Sequence, residues 1–135
     1  LNGKESAMAR VLIAEDEQPV RELLARALVQ DGHVVETAPD GAAALEQLSL
    51  KAPFDLLLTD IRMPVMDGIA LALAAKRDHP DLAIVLMTGY AGERQRTHGL
   101  DALIHEVVLK PFSLAEIKDA LKQALATRSR RMLFA

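Results

Sequence analysis

The chain has 135 residues, half of them hydrophobic, with a formal net charge of -3 and no cysteine. That length suits one domain around one core; the apolar share argues against a disordered chain, and the lack of cysteine excludes disulfides and thiolate metal sites. The small negative charge gives no general attraction for nucleic acid or an anionic membrane. No stretch is long and apolar enough to span a bilayer, and the start lacks the pattern of a signal peptide. The expectation is a soluble, cytoplasmic protein.

Residues 1–7, "LNGKESA", are polar and patternless and read as a tag or linker. Short apolar runs then alternate with segments of helical period: strands are predicted over 11–14, 33–38, 55–59, 82–87 and 104–109. Behind the first strand, Val20, Leu23, Leu24, Ala27 and Leu28 keep the spacing of one helical face, with Pro19 in the first turn and Gly32 as the stop. Helices are predicted from Asp40, from Asp67 as N-cap, and from Ser113, where Glu116 completes a capping box. The polar segment 91–99, with glycines near both ends, predicts a short, mobile helix. The basic C-terminal tail 128–135, "RSRRMLFA", reads as a frayed helix end, with a partner-docking or protease-recognition peptide as the alternative.

A βα unit repeated five times predicts a doubly wound parallel sheet in a single α/β domain. The flavodoxin-like strand order 2-1-3-4-5 is the usual solution at this length, and its ligands collect outside the carboxyl ends of the strands. Those ends carry Glu15, Asp16 and Glu17 after the first strand, Asp60 after the third, Thr88 after the fourth and Lys110 after the fifth. A dinucleotide site would have a glycine-rich turn where the acidic trio stands. Converging carboxylates repel one another unless a cation joins them, and oxygen ligands suit a hard ion such as Mg²⁺. A phosphoryl group on Asp60 would meet the Thr88 hydroxyl and the Lys110 ammonium, so the set suits phosphoryl transfer to an aspartate nucleophile. Glu17 reads as a helix N-terminal acid. His33, His79, His98 and His105 have no metal-ligand or triad spacing and read as structural or solvated.

The stretches "RVLIAEDE", "LLLTDIRMPVMDG", "LMTGY" and "LKPF", in this order and spacing, resemble the receiver (CheY-like) domain of two-component response regulators. The resemblance covers residues 8–127. It implies that Asp60 accepts a phosphoryl group from a histidine kinase or histidine phosphotransfer protein, and that Asp16, Glu15, Asp60 and the backbone carbonyl of Arg62 hold Mg²⁺. It further implies that Thr88 and Lys110 bind the phosphoryl oxygens, that the bond before Pro111 is cis, and that the domain signals to an output protein rather than acting as an enzyme. Self-catalysed phosphotransfer and slow autodephosphorylation come with that reading. The chain departs from the family where an aromatic often stands three residues before the lysine: it has Val107 there, leaving Tyr90 to take over part of the switch.

Within the family the chain looks somewhat like stand-alone regulators of the CpdR type, which act as protein adaptors in regulated proteolysis; a receiver from a hybrid histidine kinase is the alternative. Nothing after Thr127 is long enough for a DNA-binding domain, so no DNA binding is expected. The rival from another class is an aspartate-nucleophile phosphatase of the haloacid dehalogenase type. That needs an acidic group two residues past the nucleophile, where Arg62 stands.

Overall fold

The computed structural model describes residues 8–51, 53–89 and 96–134. Five strands, β1 (Arg10–Ala14), β2 (Val34–Ala38), β3 (Leu56–Asp60), β4 (Ala83–Thr88) and β5 (Glu106–Leu109), form one parallel sheet in the order β2-β1-β3-β4-β5. The described residues hold four helices: α1 (Gln18–Gln30), α2 (Gly41–Leu50), α3 (Gly68–Asp78) and α4 (Leu114–Phe134).

The sheet is inner because its central strands are apolar on both faces. Every residue of β3 and β4 is buried, the condition under which a continuous apolar run is a strand with helices above and below it. Strand alternation sorts the side chains. Leu12, Leu57, Ile84 and Leu86 pack with Ala44, Leu48, Leu71 and Ala75 of α2 and α3. Val11, Ile13, Leu56, Leu58, Val85 and Met87 pack with Leu24 and Leu28 of α1 and Ile117 and Leu121 of α4. In α1 the buried stripe is Leu24, Ala27 and Leu28. Leu23, predicted for that stripe, is 50% exposed, because one residue turns the side chain about 100° off the stripe.

The helix starts follow their sequence signals. Asp40 Oδ1 accepts the Ala43 N–H at 2.7 Å and Asp67 Oδ1 the Ala70 N–H at 2.8 Å. Ser113 Oγ accepts the Glu116 N–H at 3.1 Å while Glu116 accepts the Ser113 N–H at 2.9 Å, a complete capping box. The basic end does not leave the helix at 128, since α4 runs through to Phe134. Arg128 holds it against the body, donating to the Asp81 carbonyl at 2.6 Å and pairing with Asp55 at 3.4 Å. The helix predicted over 91–99 falls in part outside the described residues; 96–99 form a turn, with the Leu100 N–H on the Thr97 carbonyl.

Both edge strands are pinned at their start by a histidine. His33 Nδ1 accepts the Ala9 N–H and His105 Nδ1 the Ile84 N–H, each at 3.1 Å. An accepting Nδ1 places the proton of the neutral ring on Nε2, so Arg131 Nη1, 3.3 Å from His105 Nε2, faces a donor and not a partner. Burial, then the charges of Lys76, Arg131 and Arg128, pull His105 down to about 4; burial also lowers His33, against the charge of Asp31.

The linkage sign follows from a folded pKa below the unfolded one. Stability is fully present above about pH 6.5, the ordinary imidazole value, and is lost as the pH falls towards the folded pKa, because the unfolded chain takes up the proton first. For a ring half open to solvent the discounted loss is about 1–2 kcal/mol. Urea unfolding of His105→Asn between pH 7 and pH 4 should show a flatter acid limb by that amount. Identical limbs would remove the assignment.

Candidate phosphoryl-acceptor site

The carboxyl ends of β1, β3, β4 and β5 meet at one edge of the sheet. Glu15 directly follows β1 and is fully buried. Its backbone is held on both sides: its N–H donates to the Ala38 carbonyl at 3.1 Å, and its carbonyl accepts from Arg21 Nη1 at 2.8 Å. Its carboxylate accepts the Glu17 N–H at 3.1 Å through Oε2, and Oε1 lies 3.5 Å from Lys110 Nζ. Asp16 follows as an exposed side chain.

Asp60 ends β3 and is 5% exposed. Carboxylates are almost never buried without a partner; here Lys110 Nζ donates to Asp60 Oδ2 at 2.7 Å. Lys110 reaches that place because β5 pairs with β4 and the Lys110 N–H donates to the Thr88 carbonyl at 2.7 Å. Thr88 ends β4 fully buried, and the Lys110–Pro111 peptide bond is cis. Carboxylate oxygens of Glu15, Asp16 and Asp60 lie within 4.8 Å of one another. Burial pushes the Glu15 carboxyl up to about 7; the hydrogen bond from the Glu17 N–H and the charge of Lys110 oppose the rise, while the charge of Asp60 and a side-chain hydrogen bond with Asp16 add to it. Burial pulls Lys110 down, but Asp60 and Glu15 outweigh it and leave the ammonium raised. Three oxygen donors around one point, with a single ammonium among them, fit a hard divalent cation such as Mg²⁺.

The loop behind Asp60 is tightly tied. The Ile61 N–H donates to the Met87 carbonyl at 3.0 Å and the Gly68 N–H returns to the Ile61 carbonyl at 2.8 Å. At its tip the Met66 N–H reaches the Pro64 carbonyl at 2.8 Å across Val65, whose φ is 71°. A three-residue turn of that hand is rare, and a β-branched residue in it is strained; packing of Met66 against the α2–α3 side of the core holds it there. Asp67, besides capping α3, pairs with Arg96 at 2.8 Å and so ties this loop to the segment after β4.

The structure thus brings Glu15, Asp16, Asp60, Thr88 and Lys110 to one sheet edge. Arg62 stands exposed at the start of the loop. Val107 is half-buried against the α2–α3 side of the core, and Tyr90 lies outside the described residues. Sequence reasoning missed Arg21 and Arg96. The one signal for Arg21 is a basic residue one turn into the helix that follows the acidic trio.

The family model of the response regulator receiver domain matches residues 11–122. The chain is 40% identical over 118 residues to the response regulator receiver protein CpdR of Brucella abortus, covering 87% of this chain and 98% of that protein. It is 36% identical over 116 residues to the response regulator MprA of Mycobacterium ulcerans, covering 86% of this chain and 50% of that relative, so it spans half of MprA's length. Among solved structures, the response regulator TrrA of Thermotoga maritima in complex with Mg²⁺–BeF matches at 32% identity with a TM-score of 0.76, over 87% of this chain and 99% of that one. A CheY-like receiver domain protein of Methanospirillum hungatei matches at 25% identity and a TM-score of 0.84, over 92% and 98%. With a five-stranded 2-1-3-4-5 sheet carrying this acidic edge, the chain belongs to the response regulator receiver domain family of two-component systems.

Proposed function

We propose that Asp60 is the phosphoryl acceptor and that the chain is an Mg²⁺-dependent phosphorylation switch charged by a histidine kinase or histidine phosphotransfer protein. One observation carries the reading: a nearly buried carboxylate at the end of the central strand, 2.7 Å from an ammonium and within 4.8 Å of two further carboxylates. An Asp60 oxygen attacks the phosphorus of a phosphohistidine; the O–P bond forms, the N–P bond breaks, and the imidazole leaves with the electron pair and takes up a proton. Lys110 stays beside Asp60 to face the phosphoryl oxygens, and the Thr88 hydroxyl, at the end of the neighbouring strand, faces them from the other side.

Asp16, Glu15, Asp60 and the Arg62 carbonyl would hold Mg²⁺, which when bound supplies a counter-charge for the phosphoryl oxygens. Burial of Asp60 and Glu15 keeps water from the reacting edge. Output is a change in protein–protein contacts. Val107 is too short to report phosphorylation by swinging through the sheet edge, so the change is carried by the segment after Thr88, including Tyr90. No helix among the described residues is long and apolar enough to cross a membrane.

The test is incubation of the chain with Mg²⁺ and a small acyl phosphate, followed by intact mass. One added phosphoryl group that is labile to hydroxylamine and absent without Mg²⁺ is the expected result. Equal uptake with a chelator present would refute the metal dependence.

A further inference from the structure

Arg21 is the one long side chain of α1 that reaches back to the acidic turn. Its Nη1 donates to the Glu15 carbonyl at 2.8 Å, and its own N–H donates to the Glu17 carbonyl at 2.9 Å, so the same residue grips the turn on both sides of Asp16. On the opposite side the Glu15 N–H is held by the Ala38 carbonyl of β2 at 3.1 Å, and the Glu15 carboxylate accepts the Glu17 N–H at 3.1 Å. Asp16 is exposed on this turn, so the backbone position from which it offers its carboxylate is set by bonds made at Glu15 and Glu17. The Arg21 bond is the only one of these that depends on a side chain outside the acidic trio.

We infer that Arg21 is a positioning residue for cation binding: by holding the Glu15 carbonyl it presets the turn that presents Asp16 beside Glu15 and Asp60. This rests on the reading of the acidic edge as an Mg²⁺ site. The physical ground is preorganisation. A turn already fixed in the binding geometry loses no freedom when the ion arrives, and residues that orient metal ligands are worth about 10–100-fold in metal affinity.

The sign of the effect separates this from the simpler view of Arg21. A guanidinium near a dication repels it, so an arginine that contributed charge alone would weaken binding, and removing it would tighten binding. An arginine that sets the turn does the reverse. Arg21→Met deletes charge and donor together while keeping the apolar stem, and Arg21→Lys keeps a charge and a donor able to reach the same carbonyl.

The full chain and both variants are titrated with Mg²⁺ alone, following backbone amide shifts, with far-UV circular dichroism confirming the fold. Arg21→Met should bind about tenfold more weakly and Arg21→Lys within about threefold of the parent. Affinity of Arg21→Met equal to or tighter than the parent overturns the inference while leaving the Mg²⁺ site intact. A parent chain that shows no saturable shifts overturns the Mg²⁺ site itself, and the inference with it. Should Arg21→Met fail to fold, Arg21→Gln, whose shorter amide falls short of the carbonyl, is held to the same outcomes.

Discussion

Gly68→Ala should be the most disruptive glycine-to-alanine change among the described residues, lowering stability by about 3 kcal/mol or more. A Cβ built on Gly68 would stand 2.1 Å from the Asp60 carbonyl oxygen and 2.8 Å from its carbonyl carbon, and 2.9 Å from the Ile61 Cα. These neighbours are backbone, so no side chain can swing aside. The Gly68 N–H is also committed to the Ile61 carbonyl at 2.8 Å, and relief of the clash must therefore move either the start of α3 or the end of β3. Moving β3 displaces Asp60 from Lys110, and phosphoryl uptake should fall along with stability. Gly89→Ala is the control: a Cβ there meets nothing within 4 Å, and its effect should stay within about 0.5 kcal/mol. Urea unfolding of the two variants checks this, and equal midpoints would show that the loop does not close on Asp60 as described.

Lys110→Met should leave the domain able to fold but slow phosphoryl transfer from a small acyl phosphate about 100-fold. The ammonium is the single cation hydrogen-bonded to Asp60, at 2.7 Å, among the described residues. One preorganised donor aimed at developing charge is worth about 100–1000-fold in rate. Methionine keeps the stem that crosses from β5 but offers no donor. Lys110→Arg restores charge with a wider head that cannot enter the same space, and it should fall between the two. Stopped-time mass measurements give the rates. A Lys110→Met rate within about threefold of the parent would take the ammonium out of the transfer step.

What the sequence disclosed, and what it hid, divides along the range of the interactions. The apolar runs ending on Asp60 and Thr88 are local patterns, and so are the caps at Asp67 and Ser113; each was legible residue by residue. Convergence of Asp60 with Lys110, 50 residues apart, followed from topology once the runs were read as parallel strands. Contacts chosen by tertiary packing were not legible. Arg21 looks like any exposed helix arginine until its guanidinium is seen on the Glu15 carbonyl. His33 and His105 read as bland because an acceptor role for a ring nitrogen leaves no spacing in the sequence. Leu23 fitted the apolar spacing of α1, yet the narrower stripe of Leu24, Ala27 and Leu28 is the one that meets the sheet. The hold on the end of α4 was hidden for a similar reason: a run of arginines suggests fraying, and the carbonyls of Asp81 and Ala102 that accept from Arg128 and Arg131 leave no pattern in the sequence.

The central claim is that Asp60 takes the phosphoryl group, and the most direct measurement compares the parent chain with Asp60→Asn under Mg²⁺ and a small acyl phosphate. Asparagine keeps the shape of the side chain and removes the nucleophilic carboxylate. The parent should gain one phosphoryl group, mapped by peptide mass to the segment holding Asp60 and lost on hydroxylamine treatment, and Asp60→Asn should gain none on the same timescale. Uptake by Asp60→Asn at the parent's rate, or a label mapped to Asp16 or Glu15 in the parent, would contradict the account.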